Sequence, residues 1–254
     1  MRIRINLNPI TDRIVLPLHY NHLLQAFIYR NLSKTLSSSL HQKGSIIGKR
    51  RFKLFTFSRL FGKFKREGDG IVFTGPLHFW LSSPMIKLLE SLASHLVKKS
   101  KVKLGKSYLH LTGIEVGFVP EMKGEVLVRT LSPITVYSTL KSPEGRKKTY
   151  YYSPFEEDFS RLIKENLCKK YLLIHKRPLE GSKFSISPEK VSQRNHHILF
   201  YKGTVIKAWS GIYKIRGSEE LIRIAYETGL GSKNSQGFGM IELLLDKADK
   251  MKNP

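Results

Sequence analysis

The two halves of the sequence carry hydrophobic periodicities in the same order, and this repeated order most limits the fold. In the first half, periods of 2 or 3.6 residues predict strand, helix, strand, strand, helix and strand at residues 1–8, 20–31, 52–58, 71–81, 84–98 and 102–119. The second half repeats the order at 125–131, 154–171, 183–191, 196–211, 217–228 and 240–245, with a hairpin added at 135–152. Two β-α-β-β-α-β units predict an α+β fold with tandem ferredoxin-like (RRM-like) domains, residues 1–119 and 120–254.

A glycine-rich stretch at residues 229–239 lies between the last predicted helix and the last predicted strand. Its glycines, Gly229, Gly231, Gly237 and Gly239, can adopt positive φ angles without steric cost, and consecutive N–H groups in such a loop can surround a phosphate. The stretch is neither a P-loop nor a dinucleotide fingerprint, because Asn234 stands where the fingerprint requires its third glycine. An anion-binding loop and a purely structural tight loop both stay open from these residues.

The charge of the chain indicates a polyanionic partner. Lys and Arg number 44 against 20 Asp and Glu, which gives a net charge of +24. This excess favours nucleic acid first and an anionic membrane surface second. No acidic residue occurs between Asp12 and Glu67, and residues 43–66 combine many basic side chains with five Phe. We therefore predict a folded anion-binding surface there, with RNA contacts from Lys49, Arg50 and Arg51, and from Arg2 and Arg4 on the first strand.

Several classes of protein and site are not expected. No apolar run is long enough to span a bilayer, and the N-terminus lacks a signal-peptide core, so we expect a cytoplasmic protein without membrane contact. A single cysteine, Cys168, excludes an internal disulfide and a multi-cysteine metal site. The neighbouring histidines His19 and His22 lack the carboxylates or cysteines that would complete a metal site. We expect neither a metal nor another cofactor.

RNA cleavage without a metal needs few protein groups. The 2′-hydroxyl attacks the phosphate, so the protein must move protons and stabilise the charge of the transition state, and the products are a 2′,3′-cyclic phosphate and a 5′-hydroxyl. Histidine moves protons near neutral pH, lysine or arginine stabilises the charge, and tyrosine hydrogen-bonds to a moving proton. Tyr29, His41 and Lys53 lie in the acid-free region and are the candidates.

Several short motifs resemble one known family over the whole chain, in the same order. The chain is similar to the CRISPR-associated endoribonucleases that cut precursor guide RNA within its repeats, which are family six of the CRISPR-associated proteins in the RAMP superfamily. The resemblance is carried by Leu16-Pro17, Tyr20-Asn21, Leu24-Gln25, Ile28-Tyr29, Leu40-His41, the Lys-Leu-Phe-Thr-Phe-Ser segment at 53–58, the Leu-Ser-Pro-Ile turn at 131–134 and the glycine-rich stretch.

This resemblance implies metal-independent cleavage by Tyr29, His41 and Lys53, and a basic cleft between the two domains. It also implies that the glycine-rich stretch contacts RNA without doing chemistry, through Gly229, Gly231, Lys233, Asn234, Ser235, Gly237 and Gly239. The implied partner is CRISPR repeat RNA, as precursor and as mature guide RNA, which the protein retains after cleavage. Five matters stay open. They are a non-catalytic RNA-holding role, a homodimer, membership of an effector complex, which repeat is recognised and whether it is a hairpin or an unstructured strand, and charge stabilisation by Lys49, Arg50 or Arg51 instead of Lys53.

Overall fold

The computed structural model describes residues 1–42, 45–48, 50–141 and 145–244. The chain forms two compact units, which we describe separately. Unit 1 comprises residues 1–119 together with two short later segments, 200–205 and 234–237. Unit 2 comprises residues 120–199, 206–233 and the described residues from 238 onward.

Unit 1 is a seven-stranded antiparallel sheet with helices on one face. Its elements are β1 (Arg2–Pro9), β2 (Arg13–Pro17), α1 (Asn21–Arg30), α2 (Lys34–Gln42), β3 (Ser45–Ile47), β4 (Arg50–Phe52), β5 (Thr56–Phe57), β6 (Phe61–Glu67), β7 (Gly70–Ser82), α3 (Ile86–Val97), β8 (Val102–Leu104) and β9 (Ser107–Gly117). β1 lies between β7 and β9, and β6 pairs with the other side of β7. The resulting order β6-β7-β1-β9 is that of a ferredoxin-like sheet.

The core of unit 1 follows from the alternation within its strands and the apolar stripes of its helices. Ile3, Ile5 and Leu7 of β1 are buried together with Phe27 of α1 and Leu92 of α3. A residue on every second strand position therefore faces the helices, while the other positions form the open face of the sheet. This packing fixes the orientation of α1, on which Tyr29 lies.

Unit 2 has the same architecture with two added hairpins. Its elements are β10 (Glu125–Thr130), β11 (Tyr137–Lys141), β12 (Lys147–Tyr151), α4 (Glu157–His175), β13 (Phe184–Lys190), β14 (His196–Tyr201), β15 (Thr204–Trp209), β16 (Ile212–Gly217), α5 (Glu219–Thr228) and β17 (Ile241–Leu243). The four-stranded sheet has the order β13-β16-β10-β17, and β11-β12 and β14-β15 are separate two-stranded sheets. Both units thus confirm the predicted α+β fold of tandem ferredoxin-like domains, while the basic cleft between them stays a prediction.

Four predicted elements were wrong in detail. The strand at 52–58 is interrupted between β4 and β5, where Leu54 has a φ of 49°. The sequence predicts a basic connector at 61–69 and a loop at 43–50, but the first contains β6 and the second contains β3 and the start of β4. The strand at 196–211 is the hairpin β14-β15, with its turn at Lys202 and Gly203, and the sheet strand that follows is β16. Period-two patterns indicate strands but do not show where a chain reverses.

Candidate active site

Tyr29 and Lys53 are brought together in unit 1. The Nζ atom of Lys53 lies 5.0 Å from the centroid of the Tyr29 ring, a cation–π distance. The edge of the same ring contacts Phe55, with centroids 6.1 Å apart. Phe55 is fully buried and Leu54 has a left-handed backbone, so the segment after β4 turns its lysine toward α1. The two candidates are thus positioned by buried neighbours on separate elements.

The surroundings of this pair change the proton affinity of both side chains. Burial lowers the pKa of Lys53, and the positive charges of Arg51 and Lys202 lower it further. Burial raises the pKa of Tyr29 well above its usual value, with a smaller contribution from Tyr201. Lys53 therefore releases its proton more readily than a solvated lysine, whereas Tyr29 keeps its proton throughout the physiological range. Such shifts are typical of functional sites, although structural clusters also produce them.

His41 lies in the last turn of α2, one residue before the helix ends at Gln42. Its side chain lies outside the described part of the structure. Leu40, the residue before it, is 4 % exposed and belongs to the core of unit 1. The backbone of α2 is therefore anchored immediately before the candidate histidine.

The sequence reasoning missed the hairpin β14-β15 as part of this site. Its turn, residues 200–205, belongs to unit 1 and contributes Tyr201 and Lys202 beside Lys53 and Tyr29. The Tyr201 hydroxyl donates a hydrogen bond to Oε1 of Gln25, and burial raises the pKa of Tyr201 to about 12. The sequence Tyr-Lys-Gly at 201–203 is typical of a turn between two strands. Nothing in it indicated that this turn would lie beside Tyr29 and Lys53.

The tip of the glycine-rich stretch is bound to α1 within unit 1. Nδ2 of Asn21 donates to the carbonyl oxygens of Gln236 and Gly237, both at 3.0 Å, and Nε2 of Gln25 donates to the carbonyl oxygen of Ser235 at 2.6 Å. Asn21 and Gln25 are four residues apart, so one helix face presents both amides. Asn21 of the Tyr-Asn motif and Gln25 of the Leu-Gln motif therefore hold the backbone of residues 235–237 by hydrogen bonds.

The two arms of the glycine-rich stretch are fixed by the backbone of unit 2. Leu230 donates to the carbonyl of Gly239 and Gly239 to that of Pro133, each at 2.8 Å, while Ser232 donates to that of Thr135 at 2.8 Å. Lys170, which is 2 % exposed, donates from Nζ to the carbonyl of Gly229 at 2.6 Å. Several N–H groups are therefore used within the protein, which gives this stretch a structural role whatever else it binds.

Two of the glycines in this stretch have no room for a side chain. Gly231 has a φ of 67°, and a methyl group added there would lie 2.5 Å from the carbonyl oxygen of Thr135. Gly237 has a φ of 84°, and its added methyl group would lie 2.6 Å from the ring of Phe57. Close approach of another segment, together with positive φ, requires glycine at both positions.

The remaining predicted RNA contacts are dispersed. Arg2 is only 3 % exposed, so the expected solvated face of β1 does not include it, and Arg4 forms an ion pair with Glu115 at 3.3 Å. Arg50 and Arg51 are exposed on β4, and Lys49 lies outside the described residues. Lys233 has a φ of 59° and its Nζ lies 5.1 Å from the centroid of Tyr137, while Asn234 and Ser235 lie in a short 3-10 turn. RNA contact by these residues stays a prediction.

The described residues contain neither a metal-binding group nor a membrane-spanning helix. They contain no group of three or more His, Cys, Asp and Glu arranged to hold a metal ion. None of their helices combines the length and the apolar character needed to cross a membrane.

Comparison with known proteins identifies the family. Residues 15–115 match the model for "CRISPR-associated protein Cas6, N-terminal", and residues 118–243 match the model for "CRISPR associated protein Cas6, C-terminal". The chain is 27 % identical to CRISPR-associated endoribonuclease Cas6 1 of Methanocaldococcus jannaschii, covering 99 % of this chain and 96 % of that protein. It is 29 % identical to CRISPR-associated endoribonuclease Cas6 of Pyrococcus furiosus, covering 98 % of this chain and 92 % of that protein.

Solved structures agree with this assignment at the level of the fold. A structure described as a Cas6-related gene product of Pyrococcus furiosus superposes with a TM-score of 0.84 at 23 % identity, covering 97 % of this chain and 99 % of that chain. Another, described as a RAMP protein binding different RNA substrates, gives a TM-score of 0.82 at 24 % identity, covering 96 % of this chain and 100 % of that chain. With two family models matching almost consecutive parts of the sequence, the chain belongs to the Cas6 family of CRISPR-associated proteins.

Proposed function

We propose that this protein is an endoribonuclease that cleaves precursor CRISPR RNA within its repeats, without a metal ion, and retains the product. The single observation that best supports this is the contact between Tyr29 and Lys53, in which Nζ of Lys53 lies 5.0 Å from the centroid of the Tyr29 ring. Burial and the charge of Arg51 lower the pKa of this lysine. Relatives in the family carry the name CRISPR-associated endoribonuclease, which supports the reaction class. Residues 1–119 would carry the chemistry, and residues 120–254 would carry the glycine-rich stretch.

In the proposed mechanism the 2′-hydroxyl next to the scissile phosphate attacks that phosphate, and the bond to the 5′-oxygen breaks. The 2′-hydroxyl loses a proton and the leaving 5′-oxygen gains one; His41 carries out one of these two transfers and water the other. Lys53 stabilises the additional negative charge on the phosphate oxygens, and Tyr29, which stays protonated, donates a hydrogen bond on the nucleophile side. The products are a 2′,3′-cyclic phosphate and a 5′-hydroxyl.

The charge of this region supports a mechanism without a divalent cation. The positive charges of Arg51 and Lys202 lie close enough to Lys53 to lower its pKa, and the three charges together would repel a metal ion. The same three charges attract a phosphate. The protein groups therefore supply the electrostatic stabilisation that a metal supplies in other nucleases.

A non-catalytic RNA-holding role is the second candidate, because a relative is named as endoribonuclease-like. That protein, from Pyrococcus horikoshii, is 25 % identical over 96 % of this chain and 100 % of its own length. The experiment that separates the two roles incubates repeat RNA with the protein in excess EDTA and analyses the product ends. We expect one cut with a 2′,3′-cyclic phosphate and a 5′-hydroxyl. Tight binding without any product would contradict the enzyme and favour the holding role.

A further inference from the structure

One face of the hairpin β11-β12 in unit 2 combines aromatic, hydroxyl and cationic side chains in a continuous row. The register pairs Tyr137 with Tyr151, Thr139 with Thr149 and Lys141 with Lys147. Because alternate residues of a strand share a face, these three cross-strand pairs lie on the same side of the hairpin. We call this row the Tyr-Thr-Lys stripe, and define it by the six residues Tyr137, Thr139, Lys141, Lys147, Thr149 and Tyr151.

The stripe continues directly into the glycine-rich stretch. The Nζ atom of Lys233 lies 5.1 Å from the centroid of the Tyr137 ring, and the Tyr137 and Tyr151 rings are 5.6 Å apart. The backbone of Ser232 donates to Thr135, two residues before the hairpin begins, so the connection is rigid. From Tyr137 to Lys141 the strand advances about 13 Å. A cation, two rings in contact with their planes tilted by 48°, two hydroxyls and two further cations therefore follow one another along one path.

Without a bound partner, the two lysines of the stripe repel each other. Lys141 and Lys147 are directly opposite each other, and like charges in that position destabilise a hairpin. Both side chains are exposed, as are Thr139 and Thr149, so the stripe does not contribute to the core. Its six members include no carboxylate that would neutralise the lysines. A bound anion at the lysine pair would remove this repulsion.

The opposite face of the same hairpin has a different composition and different side-chain contacts. It pairs Ser138 with Tyr150 and Leu140 with Lys148. The hydroxyl of Tyr150 donates to Glu156 at 2.8 Å, and the Tyr150 ring packs against Tyr152 at 4.9 Å. This face thus uses its aromatic side chain for internal contacts, and its single lysine stands opposite a leucine.

We propose that the Tyr-Thr-Lys stripe binds single-stranded RNA, with bases stacked on the tyrosine rings and the backbone phosphates at Lys141 and Lys147. The inference rests on the proposed RNA substrate and extends it, because it assigns a path for the strand beyond the glycine-rich stretch. Proteins that bind single strands combine stacking aromatic side chains with a cationic track, and the stripe supplies both within about 13 Å. Lys233 connects the path to the glycine-rich stretch.

The test compares Lys147→Ala with Lys148→Ala, which remove the same charge from adjacent positions on opposite faces. Binding of fluorescently labelled repeat RNA with a 2′-deoxy nucleotide at the cut site is measured by anisotropy at several salt concentrations. For Lys147→Ala we expect weaker binding and a salt slope reduced by about 0.7, the value for one single-strand phosphate contact. Lys148→Ala should change neither. Equal effects of the two substitutions would overturn the proposal, since they would show only a general charge effect.

A second pair of variants tests the stacking. Tyr151→Leu should weaken binding by about 5- to 100-fold, whereas Tyr151→Phe, which keeps the ring, should bind like the wild type. Thermal unfolding of each variant shows whether the hairpin is intact. If Lys147→Ala weakens binding while the wild type does not cleave unmodified repeat RNA, the stripe stands and the enzyme proposal fails. If the wild type cleaves and neither pair shows a contrast, only the stripe proposal fails.

Discussion

The candidate site of unit 1 and the two arms of the glycine-rich stretch in unit 2 are positioned by different kinds of interaction. In unit 1, side chains from α1 and from the segment after β4 meet, and burial with neighbouring charges changes the pKa of Tyr29 and Lys53. In unit 2, backbone hydrogen bonds and glycines with positive φ set the geometry, as at Gly231. The contrast supports a division in which unit 1 changes protonation states while unit 2 supplies a rigid binding surface. Changes in unit 1 should therefore affect rate, and changes in unit 2 should affect stability and affinity.

The largest expected effect comes from the substrate. Repeat RNA with a 2′-deoxy nucleotide at the cut site lacks the proposed nucleophile, so it should give no product while binding as tightly as the unmodified RNA. The measurement is a denaturing gel beside an anisotropy titration. A 2′-deoxy substitution one nucleotide away is the control and should be cut normally. Cleavage of the first substrate would exclude attack by the 2′-hydroxyl.

Replacing Lys53 should reduce the rate strongly and change its pH dependence. Lys53→Ala should slow single-turnover cleavage by about 10²- to 10³-fold, the usual cost of losing one preorganised charge contact. Because burial and Arg51 lower the pKa of Lys53, its charge is present at low pH and is lost as pH rises through that lowered value. Lys53→Arg keeps its charge at higher pH, so its rate should persist on the alkaline side.

The control for Lys53 is Lys63→Ala, which removes an exposed lysine from β6 in the same unit. It should cleave bound RNA at the wild-type rate. If Lys53→Ala matched Lys63→Ala, charge stabilisation would have to be reassigned to Arg50, Arg51 or Lys49.

In unit 2 the expected effect is on folding. Gly231→Ala places a methyl group 2.5 Å from the Thr135 carbonyl oxygen at a φ of 67°, and should lower the free energy of unfolding by about 2–4 kcal/mol. Gly181 has a φ of 59° with no atom within 4 Å of an added methyl group, so Gly181→Ala should cost only about 1–2 kcal/mol. Urea unfolding of both variants measures the difference. Equal losses would mean that backbone conformation alone, and not the contact with Thr135, accounts for Gly231.

A smaller effect is expected from Lys170, through pH. Complete burial lowers its pKa to about 7, whereas the pKa of a lysine in the unfolded chain is about 10.4. Between these values the unfolded chain binds more protons at this residue, so its contribution makes the free energy of unfolding rise with pH. Urea midpoints at pH 7 and pH 9.5 should therefore differ less in Lys170→Met than in the wild type. Lys183→Met, which removes an exposed lysine of the same unit, should show the same difference between the two urea midpoints as the wild type. If both variants changed this difference equally, the assignment of the effect to the buried Lys170 would be wrong.

The element order could be predicted from the sequence because each ferredoxin-like element buries one face. The alternation of Ile3, Ile5 and Leu7 indicates β1, and the extended segment predicted at 102–119 contains β8 and β9, separated at Gly105, where φ is 61°. The position of the glycine-rich stretch between α5 and β17 also followed from the pattern. Local periodicity shows which face of an element is buried, and this was sufficient for the fold.

The partners of the candidate site could not be predicted in the same way. The left-handed Leu54 interrupts a segment whose composition favours a strand, and the turn bearing Tyr201 and Lys202 follows Lys53 by about 150 residues. The assignment of residues 200–205 and 234–237 to unit 1 depends on tertiary contacts such as those of Gln25. Periodicity identifies faces but does not identify which distant segment covers them.

The most direct test of the division between the two units is the cleavage rate of His41→Ala in excess EDTA, measured with the affinity of the same protein for uncleavable repeat RNA. The control is His95→Ala, which replaces an exposed histidine on α3. We predict that His41→Ala cleaves about 10²- to 10⁴-fold more slowly and binds as tightly as the wild type, while His95→Ala behaves like the wild type. Cleavage by His41→Ala at the wild-type rate would contradict the account.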